Sequence, residues 1–352
     1  MTHGRDKSSS DQYHPGSRAR FLFPGLLLLN ILALFWQLKT GTVRIPGAEL
    51  LMLLRQGPES AAAGGLHAGI LFTLRLPRAL CALLLGGALA LSGYLLQTYF
   101  DNPVAGPFIL GISSGARLCV ALAMVFFVQR WGRAGSAVLL ASAFSGALLS
   151  TALVLFLAAR VKHMASILVG GIMIGYISNA VTDILITFAS EQDIVNLRGW
   201  SLGSFSGTEW KDVLLSFCVL VPVVLLVLGI TRDIRALQLG EGYARSVGVH
   251  IRRLRILLIL YASLLSAAVT AIAGPVSFVG VAVPYLAKRL FRTSHPLVLV
   301  PACVLGGAFF TCGADLIART AFMPEELNIS TMTAVFGAPV VLWLVLERSG
   351  SR

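Results

Sequence analysis

Long apolar stretches separated by short polar segments dominate the pattern along this chain. Clear examples are 21–38, 79–97, 137–157, 212–230 and 255–273, and none alternates strictly between apolar and polar positions. At 1.5 Å per residue, a helix of about 20 residues matches a hydrocarbon core of about 30 Å. A membrane β-barrel would instead show alternating segments of about ten residues. The pattern therefore predicts a bundle of membrane-spanning helices.

The apolar pattern predicts about ten spans in one transmembrane domain. Residues 1–20 form a polar tail, and the domain covers 21–348. A cleaved signal peptide is the alternative for the first stretch, but its apolar core is longer than usual and no small-residue cleavage site follows cleanly. We therefore predict that it spans. The predicted spans lie at about 21–38, 79–98, 109–128, 137–157, 167–189, 212–230, 255–273, 276–291, 297–318 and 329–346.

Composition and charge agree with a membrane protein. Of the 352 residues, 56% are hydrophobic and 12% are charged, and the mean hydropathy is +0.82, which excludes an ordinary water-soluble fold. The net charge of +12 could indicate nucleic-acid binding, but Lys and Arg gather beside the apolar stretches, as the membrane topology rule describes. We predict no nucleic-acid partner, cytosolic N and C termini, and longer outside loops at 40–74 and 190–211.

One polar segment between two apolar stretches stands out. Residues 231–255 carry six arginines, yet their pattern is that of a helix pair. Gly240 and Gly248 are predicted to end or bend the helices, and Glu241 with Arg245 can form a weak ion pair. The predicted apolar stripe consists of Leu237, Leu239, Tyr243, Ala244 and Val247. The segment predicts a cytosolic docking surface; a basic loop held against anionic lipid is the alternative.

Ionisable residues inside the predicted spans are functional candidates, because a charge at the bilayer centre is costly. We identify Asp183 and Asp315. Arg319 follows Asp315 by four residues, so a local ion pair and a functional role are both open. Asp183 could face an aqueous vestibule or another helix. The sequence has no chain of carboxylates and histidines for proton coupling, which argues against secondary transport.

Catalytic and cofactor motifs are absent from the sequence. It has no phosphate-binding loop, dinucleotide fingerprint, zinc-protease motif or nucleophile elbow. The five cysteines lack C-x-x-C spacing and are interpreted as small buried hydrophobic residues. We predict no enzyme activity and no metal site for this chain. Energy for uphill transport would come from a partner.

A break in helical structure is predicted just before residue 111. Pro103 and Pro107 precede Gly111-Ile-Ser-Ser-Gly-Ala116. Broken backbone at membrane depth is tolerated where it lines a cavity or is buried in protein. The hydroxyls of Ser113 and Ser114 are therefore candidates for lining a pathway.

Ordered motifs along the chain resemble those of a known transport family. They are Arg75-Leu-Pro-Arg78, Gly86-Gly-Ala-Leu-Ala-Leu-Ser-Gly93, Asp101-Asn-Pro-Val-Ala-Gly-Pro107, Leu110-Gly-Ile-Ser-Ser-Gly-Ala116, Leu237-Gln-Leu-Gly-Glu-Gly-Tyr-Ala-Arg-Ser-Val-Gly248, Gly274-Pro-Val-Ser-Phe-Val-Gly280 with Pro284, Ala314-Asp-Leu-Ile-Ala-Arg319, Glu326-Leu327 and Phe336-Gly-Ala-Pro339. Each motif is weak alone, but the ordered set is specific. It resembles the permease subunits of the iron-siderophore, haem and vitamin B12 ABC importers, the FecCD or BtuC-like family. Departures from the family pattern stand at Val104, Gly242, Tyr285 and Asn328-Ile-Ser330.

The resemblance implies an architecture and a set of partners. The implied fold is the all-α type II ABC importer permease, in the inner (plasma) membrane of a bacterium and surrounded by lipid. The implied partners are a second permease chain forming a homodimer, two copies of an ABC ATPase and an extracytoplasmic substrate-binding protein. No cofactor is expected on this chain, since ATP and Mg would bind the ATPase.

The resemblance also implies roles for individual residues. The residues that it assigns to ATPase coupling are Leu239, Gly240, Glu241, Tyr243, Ala244, Arg245 and Gly248. Docking of the binding protein falls to Arg75, Arg78 and Arg319. The first two share a helix side if the helix starts near Pro77, and snorkelling to headgroups is the alternative. The translocation pathway falls to Asn102, Pro103, Gly111, Ser113, Ser114, Gly115, Gly280 and Pro284. A gate at Met164 and Ala165 rests on position alone, with a loop-to-helix junction as the alternative.

Together these implications predict a permease that passes a chelated metal compound, an iron-siderophore or else haem or cobalamin, driven by ATP hydrolysis on a separate subunit. An ion-coupled secondary transporter is the first alternative, and its uptake would collapse with the ion gradient. The second is an intramembrane enzyme acting on lipid-linked substrates. That enzyme would need a cytosolic carboxylate cluster, and Asp101, Asp233 and Glu241 are too dispersed to supply one.

Overall fold

The chain folds as a bundle of helices. A computed structural model describes residues 16–62, 65–131, 136–161 and 163–349, and this described part contains no strand. The prediction of an all-α integral membrane protein is confirmed. The helices are α1 Gly16–Lys39, α2 Gly47–Gln56, α3 Glu59–Ala62, α4 Leu66–Gly69, α5 Leu76–Phe100, α6 Ile112–Trp131, α7 Ser136–Arg160, α8 Met164–Thr187, α9 Glu191–Ser201, α10 Trp210–Gly229, α11 Thr231–Gln238, α12 Glu241–Ser246, α13 Ile251–Ala273, α14 Val279–Phe291, α15 Pro296–Thr320 and α16 Ile329–Ser349.

Each of the predicted spans overlaps a helix, but the helix at the eighth predicted span, α14, is short. Among the described residues, eight helical segments have the length and hydropathy of a membrane span. α6 contributes a shorter apolar stretch, Ile112–Phe126. α14 has 13 residues, which give about 20 Å of helix against about 30 Å of hydrocarbon. The span predicted at 276–291 is therefore helical only from Val279.

Both terminal helices have their chain-terminal ends on one side of the bundle. Phe23 of α1 packs on Phe291 at the end of α14, with ring centroids 4.9 Å apart. Glu347 of α16 pairs with Arg289 of α14 at 2.9 Å. α14 ends beside α11 and α12, since these elements line one cavity. We call this side the basic-loop end and the other side the opposite end; its assignment to the cytosol stays a prediction.

α5 is the central helix of the bundle. In the helical stretch Leu66–Phe100, 83% of the most apolar window is buried, and α5 packs against α10, α13, α14 and α15. Glycine allows the closest approaches, because the backbone of Gly86 meets Gly307 of α15 and that of Gly93 meets Gly280 of α14. A displacement of α5 would therefore change its packing against four other helices.

The two predicted outside loops are largely helical. Residues 40–74 contain α2, α3 and α4, followed by a π-helical turn at Ile70–Arg75. Residues 190–211 contain α9. Both segments were predicted as loops because glycine, alanine and polar residues interrupt the apolar pattern there.

The π-helical turn runs directly into α5. α5 begins at Leu76 with Pro77 in its first turn, in agreement with the expected start near Pro77, although helical structure is continuous from Leu66 to Phe100. Proline has no N–H to donate to the carbonyl five residues earlier. The indole N–H of Trp210 donates to that carbonyl, on Phe72, at 2.9 Å. This contact satisfies the backbone where a proline interrupts a continuous helix.

Irregular backbone between α13 and α14 is supported by two other segments. Phe278 adopts φ +63, a left-handed conformation that costs a residue with a Cβ about 1–2 kcal/mol. The hydroxyl of Ser330 on α16 donates to the Pro275 carbonyl, and the N–H of Ser204 donates to the Ala273 carbonyl at 2.8 Å. The break is thus held by α16 and by the loop after α9.

Candidate functional site

The basic segment 231–255 contains the predicted helix pair, α11 and α12. Gly240 separates the helices with φ +114, and Gly248 follows α12 with φ +86, values that favour glycine. Leu239, Tyr243 and Val247 stand four residues apart and are 64%, 51% and 53% exposed. Large apolar side chains exposed outside the spans indicate a surface that contacts another molecule.

Ala244 does not belong to this exposed stripe, contrary to the sequence prediction. It is fully buried in a cluster with Ala236 and Ile251. Leu237 is also partly buried, against the main core. Both residues lie on the face of the helix pair that packs on the bundle, so they fix the pair in place.

Glu241 at the start of α12 makes two ion pairs. The predicted pair with Arg245 has a separation of 3.6 Å between exposed groups, and such pairs contribute little stability. The closer partner is Arg255 of α13, which was not predicted. Since α13 is a spanning helix, this contact connects α12 directly to the membrane domain.

A cavity of about 460 Å³ lies between the helix pair and the membrane domain. Gln238 of α11, in its wall, donates a hydrogen bond to the phenol oxygen of Tyr94 at 3.3 Å. Tyr94 is fully buried in α5. Of the two predicted gate residues, Met164 lines this cavity, whereas Ala165 is exposed. Their role as a gate stays a prediction.

Charged side chains form a network at the opposite end, in which Asp315 is buried and Glu326 is half-exposed. Nη2 of Arg78 donates to Asp315 at 2.9 Å, and Nη1 donates to Glu326 at 3.0 Å. Arg319 Nε lies 3.5 Å from the Asp315 carboxylate. The local ion pair considered for Asp315 and Arg319 is therefore present, and Arg78 completes it from α5.

Two of the predicted docking arginines bind the end of α1. Arg75 donates to the Leu38 carbonyl at 2.7 Å, and Arg319 donates to the Gln37 carbonyl at 3.2 Å. Their exposures of 6% and 9% differ from the exposed contacts that docking suggests. With Arg78 and Glu326 they line a cavity of about 290 Å³. Docking of a partner there stays a prediction.

Most predicted pathway residues lie at contacts between helices of the same chain. The glycine contacts are Gly111 with Gly171 and Gly175, Gly115 with Gly146 and Ser150, and Gly280 with Gly93. Pro284 is buried within α14, and the Ser113 hydroxyl lies 3.5 Å from that of Thr270. Packing accounts for these positions within one chain. Lining of a pathway stays a prediction, and Ser114, Asn102 and Pro103 keep partial exposure.

Comparison with known proteins places the chain in a family. The model of the FecCD transport family matches residues 27–347. The chain belongs to the FecCD transport family. It is 37% identical over 331 residues to the vitamin B12 import system permease protein BtuC of Klebsiella pneumoniae subsp. pneumoniae, covering 94% of this chain and 95% of that protein.

Two further relatives extend this FecCD-family assignment. The hemin transport system permease protein HmuU of Yersinia pestis is 34% identical over 285 residues, covering 80% of this chain and 85% of that protein. A metal-chelate type ABC transporter solved in an inward-facing conformation superposes with a TM-score of 0.79 at 27% identity, covering 93% of this chain and 99% of that chain. The family predicted from the ordered motifs is confirmed.

Some structurally important residues of this FecCD-family chain escaped prediction. Asn30 of α1 donates to the Leu305 carbonyl at 3.1 Å, and Gln37 donates to the Cys312 carbonyl at 2.9 Å. The equal sequence separation places α1 parallel to α15. Two amides seven residues apart in an apolar stretch are the signal that could have revealed this pairing. Arg117 also escaped notice, although it lies inside the predicted span 109–128.

Proposed function

We propose that this chain is the permease subunit of an ABC importer, and that it moves a chelated metal compound across the bacterial inner membrane. A separate subunit hydrolyses the ATP. The observation that carries the proposal is the exposed stripe of Leu239, Tyr243 and Val247 on a helix pair fixed to the membrane domain. Family membership and the similar metal-chelate type ABC transporter support it.

The attachment of the helix pair suits mechanical coupling. Ala244 is buried beneath α12, Glu241 contacts Arg255 on α13, and Gln238 contacts Tyr94 on α5. A partner that binds the exposed stripe and moves it would therefore also move the spanning helices to which the helix pair is attached. The proposed partner is an ATPase, present in two copies.

A second copy of the chain is proposed to complete the pathway. Only 22% of the most apolar window of α8 is buried, and Asp183 is exposed on this helix. A carboxylate facing hydrocarbon is costly, which favours a boundary between two copies with water nearby. The outside partner is proposed to be an extracytoplasmic binding protein.

The cargo is proposed to be an organic metal chelate. The relatives named above handle vitamin B12 and hemin, and an iron-siderophore belongs to the same chemical class. The spans are apolar with few ionisable groups, which suits a large chelate that must pass without tight binding. A bare metal ion would need carboxylate or imidazole ligands.

Substitutions in the exposed stripe test the coupling role. Leu239→Asp and Val247→Asp introduce charges at the contact surface, whereas Leu66→Asp alters a leucine that is 71% exposed at the opposite end. In nanodiscs with the candidate ATPase, we expect both stripe variants to insert normally but to lose ATPase binding by about tenfold or more, about 1.4 kcal/mol. Leu66→Asp should bind the ATPase normally.

Uptake into proteoliposomes separates the alternatives. Uptake that continues without the ATPase and stops with the ion gradient would establish a secondary transporter instead. Stripe variants that retain both ATPase binding and ATPase-driven uptake would refute the coupling role of the segment. An iron-siderophore, haem and cobalamin, each presented with its own binding protein, would identify the cargo.

A further inference from the structure

Arg117 is a positive charge inside an apolar helix. It lies in the second turn of α6 beside Ala116 and Val120, which are both fully buried. It is the only charged residue between 102 and 129. The sequence and the comparisons assign it no role.

The packing of α6 on α8 sets the depth of Arg117. Gly171 of α8 contacts Leu110 just before α6, and Gly175 contacts Ser114, so the residue numbers rise together and the two helices run in the same direction. Gly175 is 11 residues from the start of α8 at Met164, about 16 Å along the helix axis. Arg117 is three residues beyond Ser114, about 5 Å further from the basic-loop end.

Arg117 is also far from the other end of its apolar stretch. α6 continues for 14 residues to Trp131, about 21 Å of helix, and the sequence carries no other charge before Arg130. An arginine side chain can snorkel only from positions near the end of a span. Arg117 therefore keeps its charge within the membrane interior.

Within the described part of the chain, Arg117 has no hydrogen-bond or ion-pair partner. Its Nε is buried without a hydrogen bond, while the side chain as a whole remains partly exposed. An arginine at the centre of a span costs about 2.5–3.5 kcal/mol on insertion scales. Arg78 and Arg319 are compensated by Asp315. Compensation for Arg117 must come from water or from an anion outside the chain.

The surroundings of Arg117 suit an anion. Ser113 faces Thr270 of α13, and Ser114 faces Gly175 of α8. At 100° per residue, Arg117 points between these two directions on α6. Its side chain is thus directed between α8 and α13, on the side of α6 that carries the hydroxyls of Ser113 and Ser114. A guanidinium can bind a carboxylate through two parallel hydrogen bonds.

We propose that Arg117 is a specificity-determining cation of the translocation pathway, and that it binds an anionic group, such as a carboxylate, on the passing chelate. The inference rests on the proposed function and adds the substrate class: chelates that carry negative charge pass more readily than neutral ones. A single cation without further charged neighbours binds weakly enough for the cargo to leave.

Uptake of charged and neutral chelates tests this role. The variants are Arg117→Gln, which removes the charge, and Arg117→Lys, which keeps it; Arg198→Gln, on the exposed surface of α9, is the matched control. In proteoliposomes with ATPase and binding protein, haem, whose propionates are anionic, is compared with cobalamin, which is neutral overall. We expect Arg117→Gln to slow uptake of the anionic chelate about tenfold, with ATP turnover unchanged. Arg117→Lys should retain most uptake, and Arg198→Gln all of it.

Several results would overturn the proposal. Equal losses for both chelates, a parallel loss of ATP turnover, or a lysine variant as defective as the glutamine variant would show a structural role. No change in Arg117→Gln would show that cargo does not meet this residue. Wild-type protein that imports no chelate would instead refute the proposed function.

Thiol labelling tests the position of Arg117 without any partner. The described chain has five free cysteines, which are replaced before introducing R117C. A negatively charged, membrane-impermeant thiol reagent should modify R117C in nanodiscs, as it would in a water-filled pathway. An unreactive thiol would place residue 117 against lipid or packed protein and would refute the site.

Discussion

At the scale of single residues, buried polar side chains determine how stable the helix bundle is. Asp315 is 1% exposed and forms ion pairs with Arg78 and Arg319. Glu326 also binds Arg78, but its side chain is 45% exposed. The two carboxylates share one guanidinium, so the difference in their burial decides how much each contributes.

Removal of the Asp315 charge should be far more damaging than removal of the Glu326 charge. Asp315→Asn removes the carboxylate that pairs with buried Arg319 and leaves Arg78 with only the half-exposed Glu326, and we expect the free energy of unfolding to fall by about 3–5 kcal/mol. Glu326→Gln should lower it by less than about 1 kcal/mol. Denaturant unfolding in detergent measures both changes, and equal effects would contradict the burial argument.

The Tyr94 hydroxyl should matter for coupling more than for folding. Tyr94→Phe removes the bond from Gln238, worth about 1 kcal/mol, and so detaches α11 from α5. We expect less cargo moved per ATP hydrolysed. Tyr99→Phe is the control, because Tyr99 lines the same cavity while its hydroxyl makes no hydrogen bond to α11 or α12 among the described residues. Identical coupling in both variants would exclude this connection.

Close backbone contact organises the bundle at the scale of elements. α5 approaches α14 where Gly93 meets Gly280, and a Cβ on Gly93 would overlap the Gly280 carbonyl. Gly313 of α15 has open space around the same position. Gly93 therefore has no room for a side chain, whereas Gly313 does.

Gly93→Ala and Gly313→Ala should change stability in opposite directions. The first forces α5 and α14 apart, and we expect the free energy of unfolding to fall by about 1–3 kcal/mol. The second adds helix propensity without a clash and should raise it by up to about 1 kcal/mol. Thermal unfolding in nanodiscs gives the comparison; a destabilised Gly313→Ala variant would contradict the open space.

The start of α15 should depend on pH through His295. Its Nδ1 accepts the Leu297 N–H at 3.3 Å, and burial together with the Arg235 charge lowers the pKa of His295. Because the pKa is lower in the folded state, the contribution to stability is complete above the ordinary histidine pKa and is lost as pH falls below it.

A cap that does not titrate provides the test for His295. Asn is a good N-cap, so His295→Asn should retain the start of α15 between about pH 8 and pH 5, where histidine changes charge. The protection factors of the amides at residues 297–299, which are exchange rates relative to the intrinsic rate at each pH, should fall at low pH in the natural chain and stay constant in the variant. Equal exchange in both chains would refute the cap.

Across the whole molecule, features set by local sequence could be predicted, whereas features set by contacts between distant residues could not. The spans could be predicted because each is an apolar stretch of the required length. The π-helical turn in front of Pro77 could not, because the hydrogen bond that supports it comes from the indole of Trp210, far along the chain. Ala244 was assigned to the exposed stripe because a helical pattern of two short elements does not reveal which side packs on α13. The burial of Arg75 likewise depends on the end of α1.

The common side of both terminal helices leads to a topology prediction. The arginines of α11, α12 and the start of α13 lie at that same end, and positive charge favours the cytosol. A fluorescent reporter fused after Glu347 should therefore fluoresce in cells, and an alkaline phosphatase fused there should be inactive. The reverse pattern would invert the whole bundle.

The pairing of α1 with α15 has a consequence for biosynthesis. Asn30 and Gln37 bond to carbonyl groups 275 residues later in the chain. The ribosome releases these amides long before their acceptors on α15 exist, so until translation is nearly finished the Asn30 amide has only the Leu26 carbonyl of its own helix and the Gln37 amide lacks its acceptor. A prematurely terminated copy that lacks α15 would therefore keep α1 in the bilayer without either bond to α15.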